Sequence, residues 1–531
     1  MISAPRVKEA ITGGQCQIDG MASFEEAENL ATMIRIGSLA LELQEIRSNV
    51  VGAKLGQDAI ASSLKAGALG LALVMIFMIA FYAVPGLAAA IALAIYVALT
   101  IVLLAGFQIT LTLPGIAGII LTIGMAVDAN VIIFSRIREE LAAGKSVRAA
   151  RKDGFGKALS AILDGNITTL IAALVLYIMG TGTVKGFATT LALGTVLSMF
   201  TALFVTRFIL TGFYEIGLKD PKYYGANAAK KQFPVIPFVS KKKIVFTIPC
   251  VIIAVGLAAM IYGGVSGKGI LNYSQEFSGG TSTTVTFAED MDLAAVNEKV
   301  VPLFEAVTGD ADVQVQTVAG TNEVILKTRT LDVHEREAVA DSLIENFGIT
   351  QDDITAESIS ATVSREMKRD AIVSVLVAAI LMLIYIWFRF KDIRIAGSTV
   401  IALLHDVLVV LTCYALFRWS VGNTFIACML TVVGYSINDT IVVFDRMREN
   451  RASQKKNESL ADIIDKSVSQ TLTRSLNTSI TTGIMVLVLL IFGVSSIREF
   501  AWPLLVGIAA GFFSSVCVAG NMWHTLRKGE K

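Results

Sequence analysis

The chain has 531 residues, of which 54% are hydrophobic and 17% are charged, and its mean hydropathy is +0.66. A soluble protein carries about 25% charged residues, so this composition indicates a protein of the lipid bilayer. The formal net charge of +1 gives no basic field for nucleic acid, which excludes nucleic acid as a partner.

Eleven stretches are long and apolar enough to form membrane-spanning helices, which need about 20 residues each. In chain order they cover residues 65–84, 87–107, 115–135, 158–180, 186–213, 244–263, 370–388, 394–417, 424–445, 473–493 and 499–524. The longer ones predict tilted helices or extensions into the interface. The sequence therefore predicts an α-helical polytopic membrane protein.

Basic residues concentrate in alternate loops. Segments 136–157, 214–243 and 446–472 are rich in Lys and Arg, whereas the loops between them carry few charges. Lys/Arg-rich loops stay in the cytoplasm. This pattern predicts that segments 1–64 and 264–369 are extracytoplasmic and that the C-terminus is cytoplasmic.

The segment 264–369 has the pattern of a compact α+β domain. Strands are predicted near 283–287, 312–318, 323–329 and 354–361, and helices near 292–307 and 332–347. The order β-α-β-β-α-β is that of a ferredoxin-like domain. Residues 1–64 contain only part of a similar unit.

The two halves of the chain repeat each other at a nearly fixed offset, which is typical of transporters. Gly124-Met-Ala-Val-Asp128-Ala-Asn130 aligns with Gly434-Tyr-Ser-Ile-Asn438-Asp439-Thr440, and Thr168-Thr169, Gly180 and Gly194 align with Thr481-Thr482, Gly493 and Gly507. The repeat predicts two five-helix units related by a pseudo-twofold axis along the membrane normal, plus one extra span.

Each repeat places a carboxylate inside a span. Asp128 precedes Arg136 by eight residues and Asp439 precedes Arg446 by seven, which puts both carboxylates about 12 Å or less inside the helix end. A carboxylate there costs about 2.5–3.5 kcal/mol on insertion scales, so it must face water or the protein interior. We expect the two helices to meet near the pseudo-twofold axis.

The residues around these carboxylates predict a proton relay. Small side chains that would let the two helices approach each other are Gly118, Gly124, Gly434 and Ser436. Arg474, at the predicted start of its span, is the expected counter-charge. Protonation of one carboxylate would change its pairing with the arginine and hence the helix packing. The alternative is that Asp128 and Asp439 are capping or snorkelling groups and that Arg474 is an interfacial anchor.

Four further polar residues are candidates for the same site. His405 and Asp406 lie together within one span, and Asn130 and Asn438 lie next to the carboxylates in the repeat. A purely structural role for Asp406 stays open, because the aligned positions of the first half are apolar.

Other chemistries find little support. Gly144-Lys145-Ser146 resembles the end of a P-loop, but Glu139 stands where the first glycine belongs and the segment follows an apolar helix. The five cysteines form no CxxC pair and the three histidines are far apart. No catalytic site, metal or cofactor is predicted, and the proton gradient is the expected energy source.

The repeat motifs resemble those of the SecDF family of protein-export membrane proteins. The stretch 434–446 is similar to the fourth-helix motif of SecF, and 124–134 resembles its SecD equivalent. Phe277-Ser-Gly-Gly-Thr281, His405-Asp406-Val407 and the stretch 51–60 extend the likeness over essentially the whole chain. The resemblance implies a fused SecDF of the RND superfamily in the bacterial cytoplasmic membrane. It places the proton-carrying positions at Asp128, Asp439 and Arg474.

By this resemblance the expected partners are the SecYEG channel, YidC/YajC-type membrane proteins, a translocating preprotein and membrane lipids. The chain is divided into a remnant of the SecD extracytoplasmic domain (1–64), the SecD bundle (65–213), a cytoplasmic linker (214–243), the first SecF span (244–263), the extracytoplasmic ferredoxin-like domain (264–369), the SecF bundle (370–524) and a tail (525–531).

Two departures from the family pattern stand out. Glu276 occupies a position where SecF usually has Asp. The chain also starts in the tail of the large SecD domain and has eleven predicted spans instead of twelve, which suggests a truncated or split gene.

Three functions compete at this point. The first is a proton-driven motor for late steps of protein export. The second is an RND-type exporter of small molecules or lipids, which would need large extracytoplasmic domains in both halves. The third is a passive scaffold with structural carboxylates, which neutral substitutions at Asp128 and Asp439 would distinguish from the other two.

Overall fold

The computed structural model describes residues 18, 21, 23–37, 45–50, 53–180, 182–225, 234–267, 269–289, 291–310, 313–318, 321–454 and 458–527. The chain divides into two compact units, residues 1–47 and 48–531. The described part of the first unit contains helix α1 (Phe24–Gly37). The second unit contains the membrane helices and the α+β domain.

The first helical half follows a short strand, β1 (Arg47–Val50). Its helices are α2 (Ala53–Tyr82), α3 (Val84–Gly106), α4 (Leu113–Met125), α5 (Asp128–Ala142), α6 (Val147–Met179), α7 (Thr183–Phe200) and α8 (Thr206–Glu215). A π-helical segment, Thr201–Val205, joins α7 to α8. A single 3₁₀ turn, Pro221–Tyr224, comes next, and α9 (Lys242–Val265) is the extra span.

The α+β domain occupies the region between α9 and the second helical half. Its elements are β2 (Asn272–Tyr273), α10 (Gln275–Ser278), β3 (Gly280–Thr286), α11 (Leu293–Lys299), α12 (Val301–Thr308), β4 (Gln314–Thr317), β5 (Glu323–Thr328), α13 (Val333–Phe347), a 3₁₀ turn (Gln351–Asp353) and β6 (Ile354–Ile359). The main sheet has the order β1-β6-β3-β5-β4, and its β3–β5, β3–β6 and β4–β5 pairs are antiparallel.

The predicted ferredoxin-like arrangement is confirmed by this sheet order, with one addition. Strand β1, which the sequence analysis assigned to the segment 1–64, adds a fifth strand at the edge next to β6. The domain core is apolar and includes Val285, Phe304, Leu326 and Leu343. Asp332 and Glu335 form a reciprocal capping box that fixes the start of α13.

The second helical half begins directly after the sheet. Its elements are α14 (Ala361–Phe390), α15 (Ile393–Phe417), β7 (Ser420–Val421), α16 (Asn423–Ala452), α17 (Leu460–Phe492), α18 (Ser495–Phe513) and α19 (Gly520–Arg527). A π-helical segment, Ser514–Ala519, joins α18 to α19. This segment aligns with the π-helical segment of the first half at the offset of the sequence repeat.

Eleven helical segments in the described part of the chain are long and apolar enough to cross a membrane, which agrees with the predicted number. Several are longer than predicted: α6 begins at Val147 and α17 at Leu460. Hydropathy ends a span at the first charges, but backbone hydrogen bonding continues the helix beyond the apolar part. Arg474 consequently lies well inside α17 and not at its start.

The predicted span 115–135 is interrupted in its middle. Helix α4 ends at Met125 and α5 starts at Asp128, with Ala126 and Val127 between them. The aligned stretch of the second half lies within the unbroken helix α16. The two halves therefore align residue by residue, but their backbones differ next to the carboxylates: the helix is interrupted before Asp128 and continuous at Asp439.

The base of the α+β domain is attached to the start of α16. Strand β2 pairs in parallel with β7. Glu276 accepts hydrogen bonds from the backbone N–H and from Nδ2 of Asn423, both at 2.6 Å. A carboxylate at a helix N-terminus satisfies free N–H groups and interacts favourably with the helix dipole. The Glu276 position that departs from the family pattern is thus a cap of α16.

The small residues beside the carboxylates pack differently from the prediction. A Cβ on Gly124 would lie 3.1 Å from Thr482 Cα of α17, and one on Gly434 would lie 3.5 Å from Thr169 Cα of α6. Gly118 faces α7, and Ser436 faces α15. The prediction that these four residues bring the two carboxylate helices against each other is therefore wrong. Instead, Gly124 and Gly434 each fit a helix of the opposite half.

Candidate functional site

A hydrogen bond between the two halves joins Asp128 to Asn438. Asp128 is the first residue of α5, and Asn438 lies in the middle of α16. Asn438 Nδ2 donates to Asp128 Oδ2. The helix break before Asp128 places its carboxylate at a helix start, where the backbone dipole favours negative charge. The carboxylate helices meet, as predicted, but through a carboxylate and an amide.

Asp439 follows Asn438 and is turned toward α17. It is 9% exposed, and its Oδ1 accepts a hydrogen bond of 2.9 Å from Ser475 Oγ. Its Oδ2 is buried and has no hydrogen-bond partner among the described residues. A buried carboxylate with a free oxygen is costly when it is ionised, so its charge state depends on its surroundings.

Arg474 precedes Ser475 on the same helix. Its side chain is buried, with 7% exposure. It forms no ion pair within the described part of the chain, although Asp128 and Asp439 are close enough to interact with its charge. The structure thus brings Asp128, Asp439 and Arg474 into one polar centre, which we call the polar centre below.

The two asparagines flanking the carboxylates differ in their roles. Asn438 bonds to Asp128, as described above. Asn130 is 3% exposed, and its Oδ1 has no partner in the part of the chain that the structure describes. A narrow cavity beside Asp128, lined also by Asn166 and Ser198, has room for about one water molecule.

His405 and Asp406 form a separate polar cluster on α15. His405 Nδ1 and Asp406 Oδ1 are 2.8 Å apart. Asp406 is completely buried and also accepts hydrogen bonds from Ser436 and, at 2.8 Å, from Ser514. Ser436 precedes Asp439 by one helical turn, and Ser514 opens the second π-helical segment. This cluster touches the carboxylate helix α16 without joining the polar centre.

Ion pairs connect the two halves at the end of the carboxylate helices that leads to the basic loops. We call this end the basic side and the opposite end the domain side. Arg136 Nη1 lies 2.9 Å from Glu449 and 3.0 Å from Glu139, while Arg446 pairs with Glu139 and, at 3.2 Å, with Glu449. These four residues, here the basic-side ion cluster, are pairwise equivalent in the repeat. Both arginines are less than 10% exposed, so they are buried within this cluster.

A second pair of repeat-equivalent residues also bonds across the halves, and sequence reasoning missed it. Asn477 of α17 donates from Nδ2 to the hydroxyl of Tyr82 on α2, at 2.8 Å. Its equivalent in the first half, Asp164 of α6, accepts from the hydroxyl of Tyr385 on α14, also at 2.8 Å. Extending the repeat alignment by five residues before Thr169 and Thr482 would have paired these two polar positions.

Asp164 has charged as well as neutral partners. Arg389 Nε donates to Asp164 Oδ2 at 2.6 Å, and Arg389 also donates to Ser160. Asp164 is 6% exposed. We call Asp164, Ser160, Tyr385 and Arg389 the Asp164 clasp. Its neighbour Gly165 is in direct contact with Asn438, which bonds to Asp128 of the polar centre.

Two helical halves with a polar centre between them define a multi-pass membrane protein of the RND fold. The family model of the protein export membrane protein SecD/SecF, C-terminal, matches residues 35–215 and 339–529. The model of the SecDF P1 head subdomain matches residues 1–41.

Individual relatives agree with this class. The protein translocase subunit SecDF of Bacillus subtilis is 37% identical over 98% of this chain and 72% of its own length. The SecDF of Thermus thermophilus is 36% identical over 100% of this chain and 70% of its own length. The crystal structure of a Thermus SecDF, described as a translocon-associated membrane protein, superposes with a TM-score of 0.83 at 34% identity and covers 99% of this chain and 70% of that chain.

The chain belongs to the SecD/SecF family of protein-export membrane proteins. This membership gives it a role in protein export, as a multi-pass membrane protein. The resemblance stated from the repeat motifs is thereby confirmed.

Proposed function

We propose that the chain is a proton-driven subunit of the Sec translocase that promotes late steps of export across the bacterial cytoplasmic membrane. In this proposal the domain side faces outward and the basic side faces the cytoplasm. The observation that carries the proposal is the polar centre. Among the described residues, Asp439 keeps one buried oxygen without a hydrogen-bond partner, and the buried Arg474 forms no ion pair.

Proton uptake at this centre would change the contacts between the halves. An ionised Asp439 attracts Arg474, whereas a protonated Asp439 releases it, and both residues lie on helices of the second half. Asp128 lies on the first half and is tied to α16 through Asn438. A change of charge at either carboxylate therefore alters the packing at the boundary between the halves.

The membrane potential supplies the driving energy in this mechanism. One elementary charge crossing the membrane gains about 2.3 kcal/mol per 100 mV. The basic-side ion cluster lies on the same helices, α5 and α16, between the polar centre and the cytoplasm. In the mechanism it closes this end of the path when both arginines are paired.

The proposed partners follow from the export role. They are the SecYEG channel, YidC/YajC-type membrane proteins, the translocating preprotein and the surrounding lipids. A relative described as translocon-associated supports the channel as a partner. The mechanism uses the proton gradient and needs no cofactor.

The test is the substitution Asp439→Asn in cells that lack their own SecDF. We expect secretion of a reporter preprotein to fall to the level of the empty cells, and proton conductance in membrane vesicles to fall with it. Asp341→Asn, an exposed carboxylate on α13, is the matched control. Both proteins are compared at equal abundance in the membrane. Normal secretion by the Asp439 variant would refute a proton-carrying role for the polar centre.

A further inference from the structure

The Asp164 clasp lies between the polar centre and the helix that carries the α+β domain. Gly165, next to Asp164 on α6, lies so close to Asn438 that an added Cβ would be 2.5 Å from Asn438 Cγ. Asn438 is in turn bonded to Asp128. One side of α6 therefore contacts the polar centre, while the neighbouring residue holds α14.

Helix α14 is a direct continuation of the domain sheet. Strand β6 ends at Ile359, and Ser360 is the N-cap of α14, with its Oγ accepting from Val363 N. The helix runs without interruption for 30 residues, about 45 Å at 1.5 Å per residue. Tyr385 and Arg389 lie near its far end, so one continuous helix joins the clasp to strand β6.

The contacts within the clasp suit a transmitting role. Asp164 accepts from Tyr385 at 2.8 Å, from Arg389 at 2.6 Å and from Ser160 at 3.4 Å, so its two oxygens are held by three side chains. The Asp164 side chain is buried and that of Arg389 is 25% exposed. A hydrogen bond between a guanidinium and a carboxylate is charge-assisted and directional, so it can pass a displacement from one helix to the other.

The equivalent residue of the second half, Asn477, has no charge-assisted hydrogen bond among the described residues. Asn477 makes one neutral hydrogen bond, to Tyr82 on α2. Of the two equivalent helix pairs, the charged contact is therefore found on the pair that includes α14. Helix α14 follows β6, an internal strand of the sheet, whereas α2 follows the edge strand β1. A purely structural contact between equivalent helices would not need this difference.

We infer that the Asp164 clasp is the mechanical coupling between the polar centre and the α+β domain. Movement of α16 on protonation displaces α6 through the Asn438–Gly165 contact, and the clasp passes this displacement to α14. This inference rests on the proposed function. Asp164, Tyr385 and Arg389 are positioning residues in it and carry no transported proton.

The experiment separates conduction from secretion. Arg389→Gln and Asp164→Asn are expected to lower preprotein secretion to the level of cells without SecDF, while proton conductance in vesicles stays at the parental level. Tyr385→Phe removes a single hydroxyl and is expected to give an intermediate loss of secretion. Arg365→Gln, an exposed arginine on the same helix, is the control. The exchange Asp164→Arg with Arg389→Asp is expected to restore part of the secretion.

Different results would refute different statements. Parental behaviour of Asp439→Asn in both assays would refute the proposed function. If Asp439→Asn is defective but Arg389→Gln and Tyr385→Phe secrete like Arg365→Gln, the clasp has no coupling role. Loss of proton conductance together with secretion in Arg389→Gln would also overturn the inference, because the clasp would then belong to the conduction path.

Discussion

Gly165→Ala is the smallest change that should disturb the polar centre without touching a titratable group. The new methyl group would lie 1.8 Å from Asn438 Oδ1 and 2.5 Å from Asn438 Cγ, whereas a carbon and an oxygen atom pack at about 3.3 Å. The Asn438 amide must therefore retreat by about 1.5 Å, which stretches its hydrogen bond to Asp128 beyond normal geometry. Losing a hydrogen bond to a charged group costs about 1.5–3 kcal/mol, and overpacking costs a further 1–3 kcal/mol.

The helix itself should tolerate the change, because alanine is a better helix former than glycine by about 1 kcal/mol. Gly156→Ala on the same helix is the matched control, since nothing lies within 4 Å of its added Cβ. We expect Gly165→Ala to reach the membrane but to lose most secretion and proton conductance, and Gly156→Ala to retain both. Equal secretion by the two variants at equal abundance would refute the reasoning that Asn438 must sit against α6.

Two stability predictions concern the two ends of helix α16. Arg446→Gln leaves the two carboxylates of the basic-side ion cluster with a single arginine. We expect the free energy of unfolding to fall by about 1–3 kcal/mol. The loss is smaller than for a fully buried ion pair because the Glu449 side chain is partly exposed. The control is Arg148→Gln, at an exposed arginine of α6. Thermal unfolding in detergent should show a lower midpoint for Arg446→Gln than for this control, and equal midpoints would contradict a stabilising role of the ion cluster. Glu276→Ala removes the cap of α16 and should cost about 1–2 kcal/mol in the same assay. A midpoint no lower than that of Glu289→Ala would show that the cap is not used.

Much of the fold could be predicted because its signals are local or repeated. The eleven spans follow from runs of apolar residues, and the ferredoxin-like order follows from alternation within short segments. The helix break before Asp128 could not be found in this way, because Ala126 and Val127 give no turn signal. The extension of α17 back to Leu460 was missed because hydropathy measures the apolar part of a helix and not its hydrogen bonding.

The candidate site was predictable in its members but not in its contacts. The repeat identified Asp128 and Asp439, since carboxylates inside apolar spans are conspicuous. It could not show that Asp128 bonds to an amide, or that Gly124 and Gly434 pack on α17 and α6. An alignment states which residues are equivalent, whereas contacts across the halves depend on how the helices cross. Asp164 escaped attention for the same reason, because Tyr385 and Arg389, which hold it from the other half, lie more than 200 residues away.

The reciprocal seating of Gly124 and Gly434 has a consequence for biosynthesis. Each of these glycines packs against a helix of the other half. When the first half enters the membrane, its packing surface for the second half, here called the seam, therefore has no partner helix yet. The surface that Gly124 packs against, around Thr482, is synthesised about 360 residues after Gly124, which takes on the order of tens of seconds at usual elongation rates. During that interval the seam is open to lipid or to other helices. Fusing both halves in one chain limits this exposure and supplies them in equal number.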